Sequence, residues 1–321
     1  MAAFGTTLFA KLWDSRISAY LWTDSPIREL VRDESQLIAL YGNGIRVPVS
    51  NTAPVVTDYM RKNAVTINDV NPTIVNVDLQ KERVTAWSVD YADMRETNAD
   101  YIGRETQKSF VAIRNDMSDY VYTQMKKMIG PNTGGTATDN LATSMQKTLT
   151  IKKDGVSGTT FNSAAYRALL VDAIFEAEET CRKEGWFNIG TPYVVVSPAI
   201  HRQLNAYLTI DKPNLGVGHL VDEAWSQAGT GRGKLANFMY KVDDRLNASD
   251  STAAAATKIQ PIYFGITGEY NTFLQNIMAV EEVARPDRFE VGMKFLWRYG
   301  FVPASHMNDK GAYVIHHTVT N

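Results

Sequence analysis

Residues 97–130 read TNADYIGRETQKSFVAIRNDMSDYVYTQMKKMIG. Asn98 is a suitable N-cap, and Gly130-Pro131 is a strong stop signal. Between them, apolar or small residues recur at steps of three and four. These are Ala99, Ile102, Thr106, Phe110, Ile113, Met117, Tyr120, Val121, Met125 and Met128. The spacing predicts one helix of roughly 48 Å at 1.5 Å per residue. A helix of this length with one apolar side is expected to have other elements packed along it.

The residues before this helix change to a period of two. Val75, Val77 and Leu79 alternate with polar residues, 80–83 are polar, and Thr85, Trp87, Val89 and Tyr91 alternate again. This predicts a two-stranded hairpin over Thr73–Tyr91, roughly 25 Å long at 3.3 Å per residue. Because a lone hairpin is marginal in water, it must lie on its own body or on a neighbouring molecule.

The residues after the helix indicate a linker and then an α/β domain. Residues 130–162 are rich in Gly, Thr, Ser and Asn, and a short hairpin is expected at 148–155. Ser163 is expected to cap a helix that ends at Gly185 and buries Cys181. Further strands are predicted at 193–196, 237–242 and 259–266, and Ser197-Pro198 predicts another helix start.

The end of the chain has the clearest strand pattern. Every second residue is apolar from Phe289 to Phe301, and Tyr313–Val319 is a last strand. We expect the hairpin, the long helix and a C-terminal strand pair to form one elongated α+β body.

Composition excludes several classes of protein. The 321 residues contain 33 Lys and Arg against 35 Asp and Glu, so the net charge of −2 gives no strong field for nucleic acid or acidic membranes. One cysteine excludes an intrachain disulfide and suits a reducing compartment. We expect no signal peptide and no membrane span.

The motifs that carry chemistry are absent or incomplete. In Gly229–Lys234, Ala228 replaces the first glycine of a phosphate loop and Leu235 replaces its Ser or Thr. His316 and His317 are adjacent in a strand and therefore point to opposite faces. Asp90 and Asp93 are better explained as polar residues between strand and helix. The sequence predicts no catalytic, cofactor-binding or metal-binding residue.

The order of elements resembles that of the major capsid proteins of tailed phages, which have the Hong Kong 97-like fold. The resemblance covers nearly the whole chain and includes 25–49, the strand, Ser-Pro and helix at 193–198, and the closing strands at 288–302. It implies an N-terminal arm (1–45), an E-loop hairpin region (46–95), and a peripheral-domain spine helix with linker (96–160). It further implies an axial domain (161–285) and peripheral-domain C-terminal strands (286–321). The subfamily resembled uses a separate scaffolding protein.

The resemblance implies a structural role. The chain would assemble with itself into pentamers and hexamers of an icosahedral shell around double-stranded DNA, which it would hold without sequence specificity. Expected partners are a scaffolding protein, a portal protein and a decoration or cement protein. Expected locations are the virion capsid and, during assembly, the host cytoplasm. An encapsulin-type compartment shell and a soluble α/β enzyme remain alternatives.

The hairpin is the predicted contact between subunits. Its apolar face should be covered by another subunit and add little to the chain's own core. The predicted contact residues are Val75, Val77, Leu79, Lys81, Glu82, Arg83 and Trp87.

Overall fold

The structure is a computed structural model. It describes residues 27–37, 44–49, 73–90, 101–129, 140–152, 158–211, 232–248, 260–285 and 290–320. The predicted N-cap at Asn98 lies outside these ranges.

The larger of two main sheets has six strands in the order β5-β12-β9-β6-β8-β7. Its strands are β5 (Gln146–Lys152), β6 (Pro192–Val196), β7 (Arg232–Leu235), β8 (Phe238–Val242), β9 (Ile262–Ile266) and β12 (Ala312–Thr320). The central strands β6 and β9 are buried at every position. A strand buried on both faces reads as a continuous apolar run, which is why Tyr193–Val196 was recognisable in the sequence.

The second sheet has four strands in the order β1-β10-β11-β4. They are β1 (Arg32–Asp33), β4 (Lys81–Asp90), β10 (Thr272–Arg285) and β11 (Glu290–Val302). The alternation predicted near the C-terminus is confirmed in β11, where Phe295, Trp297 and Tyr299 are buried on one face.

A separate two-stranded sheet pairs β2 (Gly44–Val49) with β3 (Thr73–Asp78). It forms a second core cluster in which Ile45 and Val77 pack with Leu274, Val302 and Met307. A Cβ atom at position 300 would lie 1.9 Å from the backbone oxygen of Asp78, so only glycine fits where β3 meets the four-stranded sheet.

The long helix α2 (Tyr101–Lys126) continues as a 3₁₀ turn (Lys127–Ile129), which confirms the predicted end. Phe110 meets Phe295 edge-on with ring centroids 5.7 Å apart, and Tyr120 meets Tyr299 at 5.2 Å. Two residues later the contact changes sheet, because Tyr122 stacks on Tyr263 of β9. One helix therefore packs against both main sheets, and Tyr122, which contacts the six-stranded sheet, lies outside the predicted apolar side.

Two of the shorter helices in the described part of the chain begin at serine caps. The shorter helices are α1 (Ile27–Leu30), α3 (Ala164–Lys183), α4 (Trp186–Ile189), α5 (Pro198–Ala206), α6 (Arg245–Ala248) and α7 (Ala304–Met307). The Ser163 hydroxyl accepts a hydrogen bond from the Tyr166 amide at 3.1 Å, so the predicted cap of α3 is confirmed. Ser197 caps α5 in the same way, and a π-helical turn (Tyr207–Asp211) follows.

The predicted hairpin over Thr73–Tyr91 is wrong in its pairing. β3 pairs with β2, whereas β4 pairs with β11 over ten consecutive residues, from Lys81–Tyr299 to Asp90–Glu290. The period of two located both strands correctly. It carries no information about partners, and a ten-residue ladder on a larger sheet outweighs pairing with the six-residue β3.

Two other pairings also differ from expectation. β12 was expected beside β11, but it lies between β5 and β9 in the six-stranded sheet. The short hairpin expected near Thr148 is instead the edge strand β5, parallel to β12. Parallel partners are distant in sequence, so turn signals do not reveal them. Each main sheet therefore contains strands from both sides of the predicted boundary at residue 285.

Phe110→Asp tests the contact between α2 and the four-stranded sheet. Phe110 is buried, so the substitution removes a packed ring and introduces a charge, and it should lower the free energy of unfolding by about 3–5 kcal/mol. The neighbouring Val111 is 41% exposed, and Val111→Asp should change stability little. Thermal melting followed by circular dichroism compares the two variants. Equal losses would show that the packed face of α2 is misassigned.

Candidate assembly surfaces

The predicted contact residues in β3 and directly after it pack mainly within the chain. Val77 is fully buried in the second core cluster, and Val75 and Leu79 are half-buried against it. The expectation that this apolar face adds little to the chain's own core is therefore wrong. The reason is that β2 holds β3 against Leu274 and Val302, which supply the cover that a neighbouring subunit was expected to provide.

The predicted charged contacts begin β4 and are exposed, but each has a partner within the chain. The Lys81 ammonium lies 5.8 Å from the ring centre of Tyr120. The Arg298 guanidinium donates to Glu82 at 2.9 Å. The Arg83 guanidinium donates to Asp116 of α2 at 3.1 Å.

Arg83 and Tyr299 share the Asp116 carboxylate. The Tyr299 hydroxyl donates to the same Asp116 oxygen at 2.5 Å. The hydrogen bond with Tyr299, followed by the charge of Asp116, raises the pKa of Arg83. This group of three side chains connects β4, α2 and β11, so Arg83 helps to hold the chain's own sheet to its helix.

Trp87, the predicted aromatic anchor of the interface, is half-buried against the main core. It lies opposite Met293 of β11, on the edge strand β4 of the four-stranded sheet. The seven predicted residues thus do not form one exposed surface. Whether those with exposed area also meet another subunit stays a prediction.

Among the described residues, other apolar side chains are more exposed than the apolar members of the predicted set. They are Ile74, Val84, Val111, Leu169, Phe175, Ile189 and Ile210. Ile74, at 58% exposure, lies opposite exposed Pro48 on the outer face of the β2–β3 sheet. Val84, at 54%, lies beside Leu296 on the face of the four-stranded sheet that points away from α2. Both positions could have been found in the sequence, because each alternates along its strand with residues that point to the buried face.

The histidines of β12 have separate partners, in agreement with their predicted opposite orientations. The Nε2 atom of His316 lies 2.9 Å from the Thr148 hydroxyl on β5, and the Nε2 atom of His317 lies 2.9 Å from the Tyr166 hydroxyl on α3. Within the described ranges, no group of three or more His, Cys, Asp or Glu side chains is placed to hold a metal ion.

Two further observations concern the single cysteine and membrane-spanning helices. Cys181 is buried, as expected, and burial raises the pKa of its thiol well above the ordinary value. Among the parts of the chain that the structure describes, no helix is long and apolar enough to cross a membrane.

Comparison with known proteins identifies the fold. No protein-family model and no curated protein matches the sequence. Among solved structures, a chain in the asymmetric unit of the bacteriophage PhiM1 mature capsid is 14% identical, with 92% of this chain and 87% of that chain covered and a TM-score of 0.59. The capsid of Ralstonia phage GP4 gives 11% identity, coverages of 91% and 86%, and a TM-score of 0.59. A chain from Mycobacterium phage Che8 gives 18% identity, 92% coverage of both chains and a TM-score of 0.57. The predicted α+β capsid fold is thereby confirmed.

His317 should make stability depend on pH. Burial, with a smaller effect of His316, lowers the pKa of His317 from 6.5 to about 3. As pH falls below 6.5, the unfolded chain binds a proton at His317 that the folded chain does not. The contribution of neutral His317 to the free energy of unfolding is therefore fully present above pH 6.5 and is lost as the pH falls toward 3. The loss should reach about 1.4 kcal/mol per pH unit. Urea unfolding from pH 7 to 4 should show a shallower decline for His317→Gln. The control His306→Gln, at an exposed residue, should follow the unsubstituted chain, and a parallel decline in all three proteins would refute this role for His317.

Proposed function

We propose that this chain is a phage major capsid protein that assembles with copies of itself into an icosahedral shell around double-stranded DNA. The observation that carries the proposal is the fold shared with the PhiM1 capsid chain over 92% of this chain. No observation among the described residues favours a compartment shell for cellular cargo or a soluble α/β enzyme instead.

We also assign the regions of the capsid fold to the observed sheets and helices. The four-stranded sheet with α2 is the peripheral domain, and the six-stranded sheet with α3 and α5 is the axial domain. We assign the E-loop to β2 and β3, which residues 50–72 connect in sequence. This replaces the hairpin that was expected over 73–91. The 1–45 segment is the N-terminal arm.

The exposed apolar residues support contacts between copies. Ile74 and Pro48 form an apolar pair on the outer face of β2–β3, while Val77 secures the inner face to the chain's own body. This arrangement offers a neighbour an apolar contact on a rigid support. A modest contact of this kind is repeated in every subunit of a closed assembly, so its effect on assembly is large. Lys81, Glu82 and Arg83 are also exposed, at the start of β4, and would add charged contacts separate from this surface.

The further partners belong to the proposal as well. A scaffolding protein, a portal protein and a cement protein would bind during or after assembly in the host cytoplasm, and the finished shell would be part of the virion. A net charge of −2 suits a shell that encloses DNA without binding it strongly.

Ile74→Asp and Val77→Asp separate assembly from folding. Ile74→Asp places a charge on an exposed position, so the melting temperature should change by only a few degrees while the yield of closed particles falls roughly tenfold or more. Val77→Asp places a charge in the second core cluster and should lower the free energy of unfolding by about 3 kcal/mol or more.

The measurement is circular dichroism melting beside negative-stain electron microscopy of the same preparations. A particle yield for Ile74→Asp equal to that of the unsubstituted chain would remove the outer face of β2–β3 from the proposed contact. Failure of the unsubstituted chain, expressed with its neighbouring genes, to form particles would contradict the proposed function itself.

A further inference from the structure

Asp119 of α2 lies beside α6 at the joint between the long helix and the six-stranded sheet. Nη1 of Arg245, the first residue of α6, is 3.9 Å from Oδ2 of Asp119. This distance is longer than a hydrogen bond, and the side chains of Arg245 and Asp119 are 34% and 38% exposed, so water screens their attraction. The Arg245 guanidinium therefore offsets only part of the charge on Asp119.

The other surroundings of Asp119 disfavour its charge. Its Oδ1 atom is buried and accepts no hydrogen bond from the described residues. Asp116 precedes it by three residues on α2, a spacing at which like charges repel. Burial is the largest cause and raises the pKa of Asp119 above its ordinary value. The charges of Asp116 and of Asp243, which directly follows β8, raise this pKa further, whereas the charge of Arg245 lowers it.

Asp119 is the least supported of these three carboxylates. Asp116 accepts hydrogen bonds from two residues of the four-stranded sheet, at 3.1 and 2.5 Å. Asp243 accepts from the Tyr122 hydroxyl at 2.6 Å and from the Arg245 amide at 2.8 Å. Hydrogen bonds of this kind favour the charged form of a carboxylate. Because the described residues supply Asp119 with a cation only at 3.9 Å, its ionised form is the one that works against the joint.

We infer that Asp119 is a proton-sensitive control of this joint: its ionised form loosens the contact between α2 and α6, and its protonated form tightens it. The joint has this property within a single chain, so it does not depend on the proposed function. Because α6 follows directly from the six-stranded sheet, Asp119 controls how firmly that sheet is held to α2.

The direction of the pH dependence follows from the pKa of Asp119. This pKa is higher in the folded chain than the ordinary value of 3.8, so the folded chain binds more protons than the unfolded chain in the pH window just above 3.8. The cost of ionised Asp119 is therefore fully present at neutral pH and is relieved as the pH falls through that window. Mild acid should tighten the joint, and neutral pH should loosen it.

Hydrogen exchange in α6 tests this with Asp119→Asn, which removes the charge and keeps the shape. The amides of Arg245 and Leu246 donate to Asp243 at 2.8 and 3.3 Å, so they exchange when α6 opens. At pH 7, mass spectrometry should find them exchanging more slowly in the full-length variant than in the unsubstituted chain, by roughly twofold or more. The ratio of the two rates should approach unity toward about pH 4, where the unsubstituted chain gains its proton. Both proteins are compared in the same assembly state.

A stabilising ion pair between Asp119 and Arg245 would produce the opposite sign. Asp119→Asn would then exchange faster in α6 at pH 7 and would melt at a lower temperature than the unsubstituted chain. Either of these results, or an unchanged exchange rate at pH 7, would overturn the inference. Arg245→Gln removes the cation that offsets the charge and should speed exchange at pH 7, and adding Asp119→Asn to it should restore slow exchange.

Asp116→Asn is the matched control, because it removes the same charge three residues earlier on α2. Its carboxylate is paired with Arg83 and Tyr299, so this variant should lower the melting temperature at pH 7, whereas Asp119→Asn should raise it. Thermal melting followed by circular dichroism compares the two. A rise in both variants would assign the effect to the total charge of α2 and would contradict the role of Asp119 at the joint.

Discussion

The packing of α2 against two sheets is the contact on which the rest of this structure depends. Phe110 and Tyr120 meet aromatic rings of β11, and Tyr122 meets Tyr263 of β9. The Tyr122 hydroxyl also donates to the buried Asp243 carboxylate at 2.6 Å. About 12 residues of helix, or roughly 18 Å, thus fix the four-stranded sheet relative to the six-stranded sheet. Without this shared layer, the two sheets would be joined mainly by strand connections.

Asn271 provides a second connection where the chain passes from β9 to β10. Its side-chain amide donates to the Tyr193 hydroxyl at 2.9 Å, and its side-chain oxygen accepts from the Ala304 amide at 2.9 Å. Its backbone oxygen accepts from the Arg32 amide at 2.7 Å. One buried residue therefore joins the six-stranded sheet, α7 and the N-terminal segment. A body made rigid in this way can present the same surfaces in every copy, as repeated assembly requires.

Local patterns predicted the elements, and distant contacts determined how they combine. The apolar repeat predicted α2, and Ser163 predicted the start of α3, because both signals act within a few residues. The strands β3, β4 and β11 were equally visible from their period of two. Their partners were not, since β4 pairs with a strand about 200 residues away and nothing local encodes that choice. The candidate contacts failed for the same reason: Val77 is buried by Leu274 and Val302, whose proximity only the assembled fold reveals.

The proposed function requires that this body assemble, by itself or with its genetic neighbours, into a closed shell. Sedimentation velocity of the purified 35.8-kDa chain, produced with those neighbours, tests it most directly. We expect a homogeneous, fast-sedimenting species with a mass on the order of hundreds of subunits, in keeping with closed symmetric assembly. A monomer or a small soluble oligomer as the sole species would contradict it.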